Sequence, residues 1–225
     1  MKKFINLIEN EAYSEAIDGL KELLKNDFYN TEALILLAKA QYKIAQYSQA
    51  IDNYNSLINL LPNNADLYSD RGLCFHMAKD AKSALDDFNK AVELEPYNAY
   101  RYSSRAFVKD YYKDHQGALN DYNKAIELDP EDAIAYNNRG VLEEKLGYAE
   151  QAQESFNRSN EIQGIDLDKE LAKINTSTAP TITLSEPEKS TLTWNGYWKV
   201  LKSIFTSKSG LNAFLNFLIK KNSKH

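Results

Sequence analysis

Residues 99–132 read AYRYSSRAFVKDYYKDHQGALNDYNKAIELDPED, and a related pattern returns along the chain with a 34-residue period. The period is carried by prolines, alanines, aromatic residues, arginines and small residues that share one register. The series are Pro62, Pro96, Pro130; Ala50, Ala84, Ala118, Ala152; Tyr54, Phe88, Tyr122, Phe156; Tyr68, Tyr102, Tyr136; Arg71, Arg105, Arg139; and Ala38, Gly72, Ala106, Gly140. Several independent series with one spacing exclude coincidence and indicate an internal repeat.

The spacing within each unit predicts helices. Ala84, Phe88 and Ala91 stand at i, i+4 and i+7, so they fall on one stripe of a helix, where small residues permit close approach and aromatic rings fill the gaps. The prolines end the second helix of each unit, because proline lacks an N–H and disfavours helical geometry in the residue before it. The expected ends are Leu61, Glu95 and Asp129. One such pair cannot bury its stripe alone, so successive units must stack.

These residues resemble the tetratricopeptide repeat, a helix-turn-helix unit that places Ala, an aromatic residue and Ala in its second helix and Pro near its end. The resemblance covers residues 31–166 and implies an all-α fold, a right-handed superhelical solenoid. The predicted units are a truncated one at 1–30 and four complete ones at 31–64, 65–98, 99–132 and 133–166. Ser159 and Gly164 replace the expected Ala and Pro of the last unit.

The pattern changes after the repeats. Residues 167–174 carry Leu167, Leu171 and Ile174 on one helical stripe, and we predict a capping helix there. Residues 175–192 are rich in Thr, Ser and Pro and read as a linker. Residues 193–225 predict a tail of two basic amphipathic helices. Its candidate docking residues are Trp194, Tyr197, Trp198, Lys199, Lys202 and Phe205.

Charge separates this tail from the repeats. Residues 189–225 contain seven Lys and no Asp or Glu, whereas residues 1–188 carry 20 Lys and Arg against 32 Asp and Glu. Three interpretations of the tail stay open: it packs on the solenoid, it docks on another protein, or it attaches to a membrane surface. The acidic repeats lack the clustered basic residues that nucleic-acid binding requires.

Composition excludes several other classes. The chain has 225 residues, of which 43% are hydrophobic and 26% charged, which is typical of a folded protein. The single cysteine, Cys74, excludes a disulfide framework, and we expect it to be a small buried hydrophobic residue. The apolar start at Phe4 to Ile8 is too short for a signal sequence, and no stretch is long enough to span a membrane. We therefore expect a cytoplasmic protein, with attachment to the periphery of a membrane as the open alternative.

Catalytic arrangements are lacking in the sequence. His76, His115 and His225 are scattered, and neither a zinc-binding histidine motif nor a glycine-rich phosphate loop is present. We expect no enzyme activity, no cofactor and no metal. The acidic pairs Asp86-Asp87 and Glu143-Glu144 are interpreted as solvated helix faces. The repeated arginines suggest either a polyanion site or, as we prefer, hydrogen bonds between helices.

The family resemblance implies a concave groove lined by the first helices of successive units. The corresponding positions predict a mixed, aromatic partner-binding groove. They are Lys39, Tyr42, Lys43, Asp66, Asp70, Leu73, His76, Met77, Tyr100, Ser104, Phe107, Tyr111, Asn137, Asn138, Val141 and Lys145. An equally weighted alternative is that several of the apolar members pack into the core or beneath the tail.

Chaperone-binding members of the family hold a terminal carboxylate with Lys, Asn, Asn, Lys and Arg. The corresponding places here hold Ile35, Lys39, Asp70, Tyr100 and Ser104, or one unit later Ser69, Leu73, Ser104, Ile134 and Asn138. Chaperone tails are therefore disfavoured as ligands. The sequence predicts a protein-interaction scaffold that holds a peptide or helix with apolar anchors, and the alternative is a peripheral membrane-associated assembly factor attached through its tail.

Overall fold

The computed structural model describes residues 1–165, which form ten α-helices and no strand. The helices are α1 (Lys2–Glu9), α2 (Tyr13–Asn26), α3 (Thr31–Lys43), α4 (Tyr47–Leu60), α5 (Ala65–Met77), α6 (Ala81–Leu94), α7 (Ala99–Tyr111), α8 (His115–Leu128), α9 (Ala133–Lys145) and α10 (Ala149–Ile162). Odd-numbered helices are the first helix of a pair and even-numbered helices the second. The all-α solenoid predicted from the repeat period is confirmed.

Each complete pair begins at a side-chain cap. Asn30, Asn64, Asn98 and Asp132, each one period after the last, accept hydrogen bonds from backbone N–H groups in the first turn of α3, α5, α7 and α9. These bonds satisfy donors that have no partner inside the helix. The C-caps of the second helices α4, α6 and α8 are Leu61, Glu95 and Asp129, the residues directly before the prolines, as predicted.

The turn inside each pair contains a left-handed residue. Glu11, Ala45, Lys79 and Lys113 have φ between 59° and 72°, and Gly147 has φ 84°. These five positions also follow the repeat period, and a glycine occupies only the last of them. Left-handed backbone is the usual way to end a helix, and it lets the chain reverse direction within a few residues.

The predicted stripe of small and aromatic residues forms the core. Every alanine of the series from Ala50 to Ala152 is buried, and so are Tyr54, Phe88 and Tyr122. A Cβ atom at Gly140 would lie 2.8 Å from the ring of Phe156, so the absence of a side chain permits the close approach of α9 and α10. Cys74 is fully buried, as predicted, and burial raises the pKa of its thiol to about 12.

Helices pack chiefly on their neighbours in the sequence. The first helices of adjacent units also touch, α5 against α7 and α7 against α9. Helix α7 is therefore held from the side by α5 and α9 and from behind by α6 and α8, which leaves one face open. At the start of the chain α1 has 8 residues, compared with 13 in α3, and none of them is buried.

The repeated arginines connect the helices, which confirms the preferred interpretation. Arg71 donates from Nε and Nη2 to the two carboxylate oxygens of Asp87 at 2.8 and 2.7 Å, and from Nη1 to Asn55 at 2.7 Å. Arg105 makes the equivalent bonds to Asp121 and Asn89. The two partners of each arginine lie equally far before and after it in the chain, on the second helices of two neighbouring units.

The interpretation of the acidic pairs as solvated faces was wrong for Asp87 and Glu143, whereas Asp86 and Glu144 are exposed as expected. Asp87 is buried because its carboxylate is bound by Arg71, while Asp86 is exposed. Glu143 is buried because it accepts a hydrogen bond from Ser155 Oγ at 2.6 Å and lies 3.3 Å from Arg139 Nε. Charged groups of this kind enter a core only when they have partners there.

Three predicted segments lie outside the described residues: the capping helix at 167–174, the linker at 175–192 and the tail at 193–225, which contains the docking residues from Trp194 to Phe205. Among residues 1–165, none of the helices has both the length and the apolar character needed to cross a bilayer.

Candidate functional site

The open side of α7 and α9 exposes large apolar side chains. Tyr100, Phe107 and Tyr111 on α7 are 65, 54 and 46% exposed, and Ile134 and Val141 on α9 are 71 and 51% exposed. We call these five residues the α7–α9 face. Single exposed apolar side chains are common, but their clustering on two adjacent helices makes this face the candidate interaction surface of the described repeats.

Helix geometry explains why these residues share a face. Tyr100, Phe107 and Tyr111 stand at i, i+7 and i+11, a spacing that returns to the same side of an α-helix. Ile134 and Val141 occupy the positions of Tyr100 and Phe107 one period later. On α7 the buried residues are Arg101, Ala106 and Val108, so the opposite side of the helix provides the packing.

The start of α7 opens into a cleft of about 790 Å³. Tyr97 and Tyr100 line it with the apolar side chains of Leu94 and Leu128. Its charged lining residues are Glu95, Asp129 and Asp132. An acidic cleft therefore borders the Tyr100 end of the α7–α9 face.

Arg101 ties the start of α7 to the preceding unit. It is 4% exposed, and its guanidinium donates to Asp66 at 2.5 Å, to Glu95 at 2.8 Å and to Ser69 Oγ at 3.1 Å. The hydrogen bond from Arg101 holds the pKa of the Glu95 carboxyl below its ordinary value, against the opposing effect of burial. Three partners from two elements thus fix the position of α7 relative to α5.

The other end of the face has a second cleft, of about 430 Å³, lined by Phe107, Asp110, Tyr111, Lys113 and Lys145. Asp110 accepts hydrogen bonds from Lys145 Nζ and from His115 Nδ1, both at 2.7 Å. Burial opposes the ionisation of Asp110, but these two bonds outweigh it and lower the pKa of the carboxyl.

A third lysine reaches the same end of the face. Lys79, in the turn that follows α5, donates to Tyr111 Oη at 2.5 Å, and its ammonium group lies 4.7 Å from the centre of the Tyr111 ring. A cation over an aromatic ring is held by the ring quadrupole. The Tyr111 end of the face is therefore rich in lysine.

His76 lies beneath this end rather than on it. The side chain is 5% exposed and packs edge-on against Phe107, Tyr111 and Tyr112, with ring centres 6.0, 4.6 and 5.5 Å away. Burial, aided by the charge of Lys79, lowers the pKa of its imidazole. Its Nδ1 atom has no hydrogen-bond partner within residues 1–165. A neutral imidazole therefore supports the aromatic rings from below.

The structure places the residues of the sequence-predicted groove unequally. Ten of its residues are exposed: Lys39, Lys43, Asp66, Met77, Tyr100, Phe107, Tyr111, Asn137, Val141 and Lys145. Five are half-buried: Tyr42, Asp70, Leu73, Ser104 and Asn138. One, His76, is buried. Lys39 and Asp70 form a loose ion pair at 3.9 Å between α3 and α5. The apolar members concentrate on α7 and α9, while α3 contributes mainly lysines.

Sequence reasoning missed three members of this surface. Ile134 was considered only as a place in the carboxylate clamp, although it stands one period after Tyr100. Lys79 and Lys113 were missed because only glycine marks a left-handed turn position in a sequence, and a lysine at such a position looks like any other surface residue. Their signal was the regular spacing from Glu11 and Ala45.

Residues 1–165 contain neither a cluster of metal-binding side chains nor a reactive cysteine. No group of three or more His, Cys, Asp or Glu residues there could hold a metal ion. The Cys74 thiol is buried and protonated at neutral pH, which makes it a poor nucleophile.

Comparisons with known families agree with the geometry. A family model described as "TPR repeat" matches residues 111–147, and two described as "Tetratricopeptide repeat" match residues 35–99 and 133–166. Together they cover more than half of the chain. No curated protein matches the sequence.

Solved structures share the fold. A crystal structure of MamA is 25% identical, with a TM-score of 0.63 over 77% of this chain and 98% of that one. MamA from Desulfovibrio magneticus RS-1 is 21% identical, with a TM-score of 0.63 over 72% of this chain and 92% of that one. YrrB, a TPR protein with an unusual peptide-binding site, is 21% identical, with a TM-score of 0.56 over 76% of this chain and 88% of that one.

Proposed function

The chain belongs to the tetratricopeptide repeat family, and we propose that it is a non-enzymatic scaffold that binds another protein through the first helices of its repeats. The observation that carries this proposal is the α7–α9 face, five large apolar side chains on two adjacent helices, four of which occupy equivalent positions one period apart. Burial of such side chains supplies most of the binding energy in protein interfaces. The family resemblance and the peptide site named for YrrB agree with this proposal.

The polar members of the groove would surround that apolar centre. Asp70, Ser104 and Asn138 are half-buried at equivalent positions of α5, α7 and α9, and they offer hydrogen bonds beside the exposed rings. Lys39 and Lys43 extend a charged rim over α3. An apolar centre within a polar rim is the usual arrangement of a specific protein interface.

A terminal carboxylate is a poorer ligand for this groove. The position where a clamp asparagine would stand holds Asp70, whose negative charge repels a carboxylate. The next unit offers Leu73, which cannot bind one. We therefore expect internal segments with apolar anchors, rather than the free C-termini of chaperones, as ligands.

The test is capture of partners by the full chain from a lysate, followed by mass spectrometry. Tyr100→Ala with Phe107→Ala should remove at least one protein that the wild type retains, because truncating a central aromatic anchor costs about 2 kcal/mol or more. Phe28→Ala with Tyr29→Ala is the matched control, since it removes one exposed Phe and one exposed Tyr from the turn between α2 and α3.

The control variant should keep the partners that the groove variant loses. Circular dichroism of both variants should match that of the wild type, because all four side chains are more than half exposed. Retention of an identical set of proteins by the groove variant would contradict binding through this face.

A further inference from the structure

The Tyr100 end of the α7–α9 face is negatively charged. Glu95, Asp129 and Asp132 line the cleft beside Tyr100, and Asp66 lies on the same side through its contact with Arg101. Arg101 neutralises only part of this charge, because one guanidinium faces both Asp66 and Glu95. The positive N-termini of α7 and α9 are each equivalent to about half a charge, which together is less than the three carboxylates left after one guanidinium is counted.

The Tyr111 end is positively charged. Lys113 and Lys145 line the cleft around Tyr111 together with one carboxylate, Asp110. Lys79 adds a third ammonium group from the α5 side, in contact with the Tyr111 ring. Asp80 and Asp114 follow Lys79 and Lys113 in the chain, but their carboxylates accept hydrogen bonds from backbone N–H groups at the starts of α6 and α8. The face therefore runs from an acidic end to a basic end.

The length of the face fixes the size of its occupant. From residue 100 to residue 111 the α7 axis rises about 16 Å, at about 1.5 Å per residue. Its anchors stand seven and four residues apart, and a partner helix with the same spacing of apolar residues would meet each of them. About three helical turns are therefore enough to cover it.

We propose that the occupant of the α7–α9 face is an amphipathic helix of a partner protein, with basic side chains at the Tyr100 end and acidic side chains at the Tyr111 end. This inference rests on the function proposed above and specifies the chemistry of the partner. Charges at the rim of an interface act chiefly on orientation and selection of the partner, while the apolar centre supplies the affinity.

The experiment is a selection of displayed helical peptides of about 18 residues, roughly five turns, on the full-length chain. Peptides that also bind the Tyr100→Ala, Phe107→Ala variant are removed. The enriched peptides should carry Lys or Arg at one end of an apolar stripe and Asp or Glu at the other. Giving both ends of such a peptide the same sign should weaken its binding about tenfold, measured by fluorescence anisotropy.

Reversing the charge of one end provides the decisive comparison. In a Lys79→Glu, Lys113→Glu variant the basic end becomes acidic, so peptides with basic residues at both ends should bind best. Glutamate is tolerated at this left-handed backbone position, because Glu11 occupies its equivalent with φ 59°. Lys3→Glu with Lys21→Glu changes the net charge equally, at exposed sites on α1 and α2, and should leave the preference unchanged.

The outcomes separate the two proposals. Enriched peptides that depend on Tyr100 and Phe107 but show no charge difference between their ends would overturn this inference and leave the proposed function standing. The same holds if the Lys79→Glu, Lys113→Glu variant keeps the wild-type preference. If no peptide depends on Tyr100 and Phe107, the proposed function fails, and the charge inference fails with it.

Discussion

The turn residue after each first helix adopts left-handed backbone in all five pairs of the described chain, yet only Gly147 suits that conformation. Left-handed backbone destabilises the folded state by about 1–2 kcal/mol at a residue with a Cβ atom, because the Cβ approaches the following carbonyl oxygen. Glycine avoids this cost but has more freedom to lose on folding. Each non-glycine turn therefore stores a small, measurable strain.

We predict opposite effects at two equivalent turns. Ala45→Gly should raise the free energy of unfolding by about 0.5–1 kcal/mol, because it relieves a φ of 61°. Gly147→Ala should lower it by about 1 kcal/mol, and the new methyl group would meet no atom within 4 Å, so only the backbone conformation is tested. Urea unfolding followed by circular dichroism measures both. A change of the same sign in the two variants would refute the strain.

At the level of helices, Arg101 is the exception in an otherwise apolar series. The equivalent positions hold Ala33, Leu67 and Ala135, all of them buried, so α3, α5 and α9 dock without an ion pair at this position. Only α7, among the described helices, is held there by a buried guanidinium with carboxylate partners on two sides. This position should therefore make the docking of α7 respond to pH, whereas the apolar residues at the same position of α3, α5 and α9 contribute no such response.

We predict that Arg101→Leu changes the free energy of unfolding at pH 7 by less than about 1 kcal/mol, because the side chains of its partners Asp66 and Glu95 are 74 and 41% exposed and their carboxylates return to water, so that no charge is left buried without a partner. Arg101→Ala should cost about 2 kcal/mol, because packing is lost as well. Chemical denaturation of the two variants at pH 7 gives both values. A loss larger for Leu than for Ala would contradict the reasoning.

Acidification should distinguish the wild type from Arg101→Leu. The pKa of Glu95 is lowered in the folded protein, so its contribution to stability is present above the unfolded pKa and is lost as the pH falls through the folded value. The variant lacks this contribution, so its stability should fall less between pH 6 and pH 3. Glu95→Gln with Arg101 intact should behave like the variant, and parallel pH profiles for all three proteins would exclude the mechanism.

Across the repeats as a whole, stability is a sum over neighbours. Helices contact chiefly the elements next to them in the sequence, as expected for a solenoid. The first helix, α1, packs on α2 and α3 but none of its own residues is buried, whereas α6 is covered by α5 and α7 and contains buried residues. Resistance to local opening should therefore increase from the N-terminal end toward the middle.

Hydrogen exchange read by mass spectrometry tests this gradient. Amides of α1 should exchange at least about tenfold faster than those of α6, because opening of α1 uncovers no buried side chain of its own, whereas opening of α6 does. Peptic fragments that cover α1 and α6 give the comparison within one experiment. Equal protection in both fragments would show that the described repeats open as one cooperative unit.

Sequence reasoning recovered the features that depend on local spacing. The helix pairs, the buried alanines and the helix ends follow from the period and from proline chemistry, and Phe107 and Tyr111 were placed on the open face. The burial of Asp87 was missed because its partner Arg71 is distant in the sequence and meets it only across two packed helices. His76 was misjudged for the same reason, since the rings that cover it come from the next unit.

The regular recurrence of the capping residues and left-handed turns has an evolutionary consequence. Duplication or deletion of one whole repeat keeps the capping residue and the left-handed turn in register at every junction, so such a chain can lengthen or shorten without a new kind of cap or turn. Gain or loss of one residue inside a helix instead rotates everything beyond it by about 100° and turns the alanine stripe away from its neighbour. Growth by complete modules is thus the change in length that this architecture accepts.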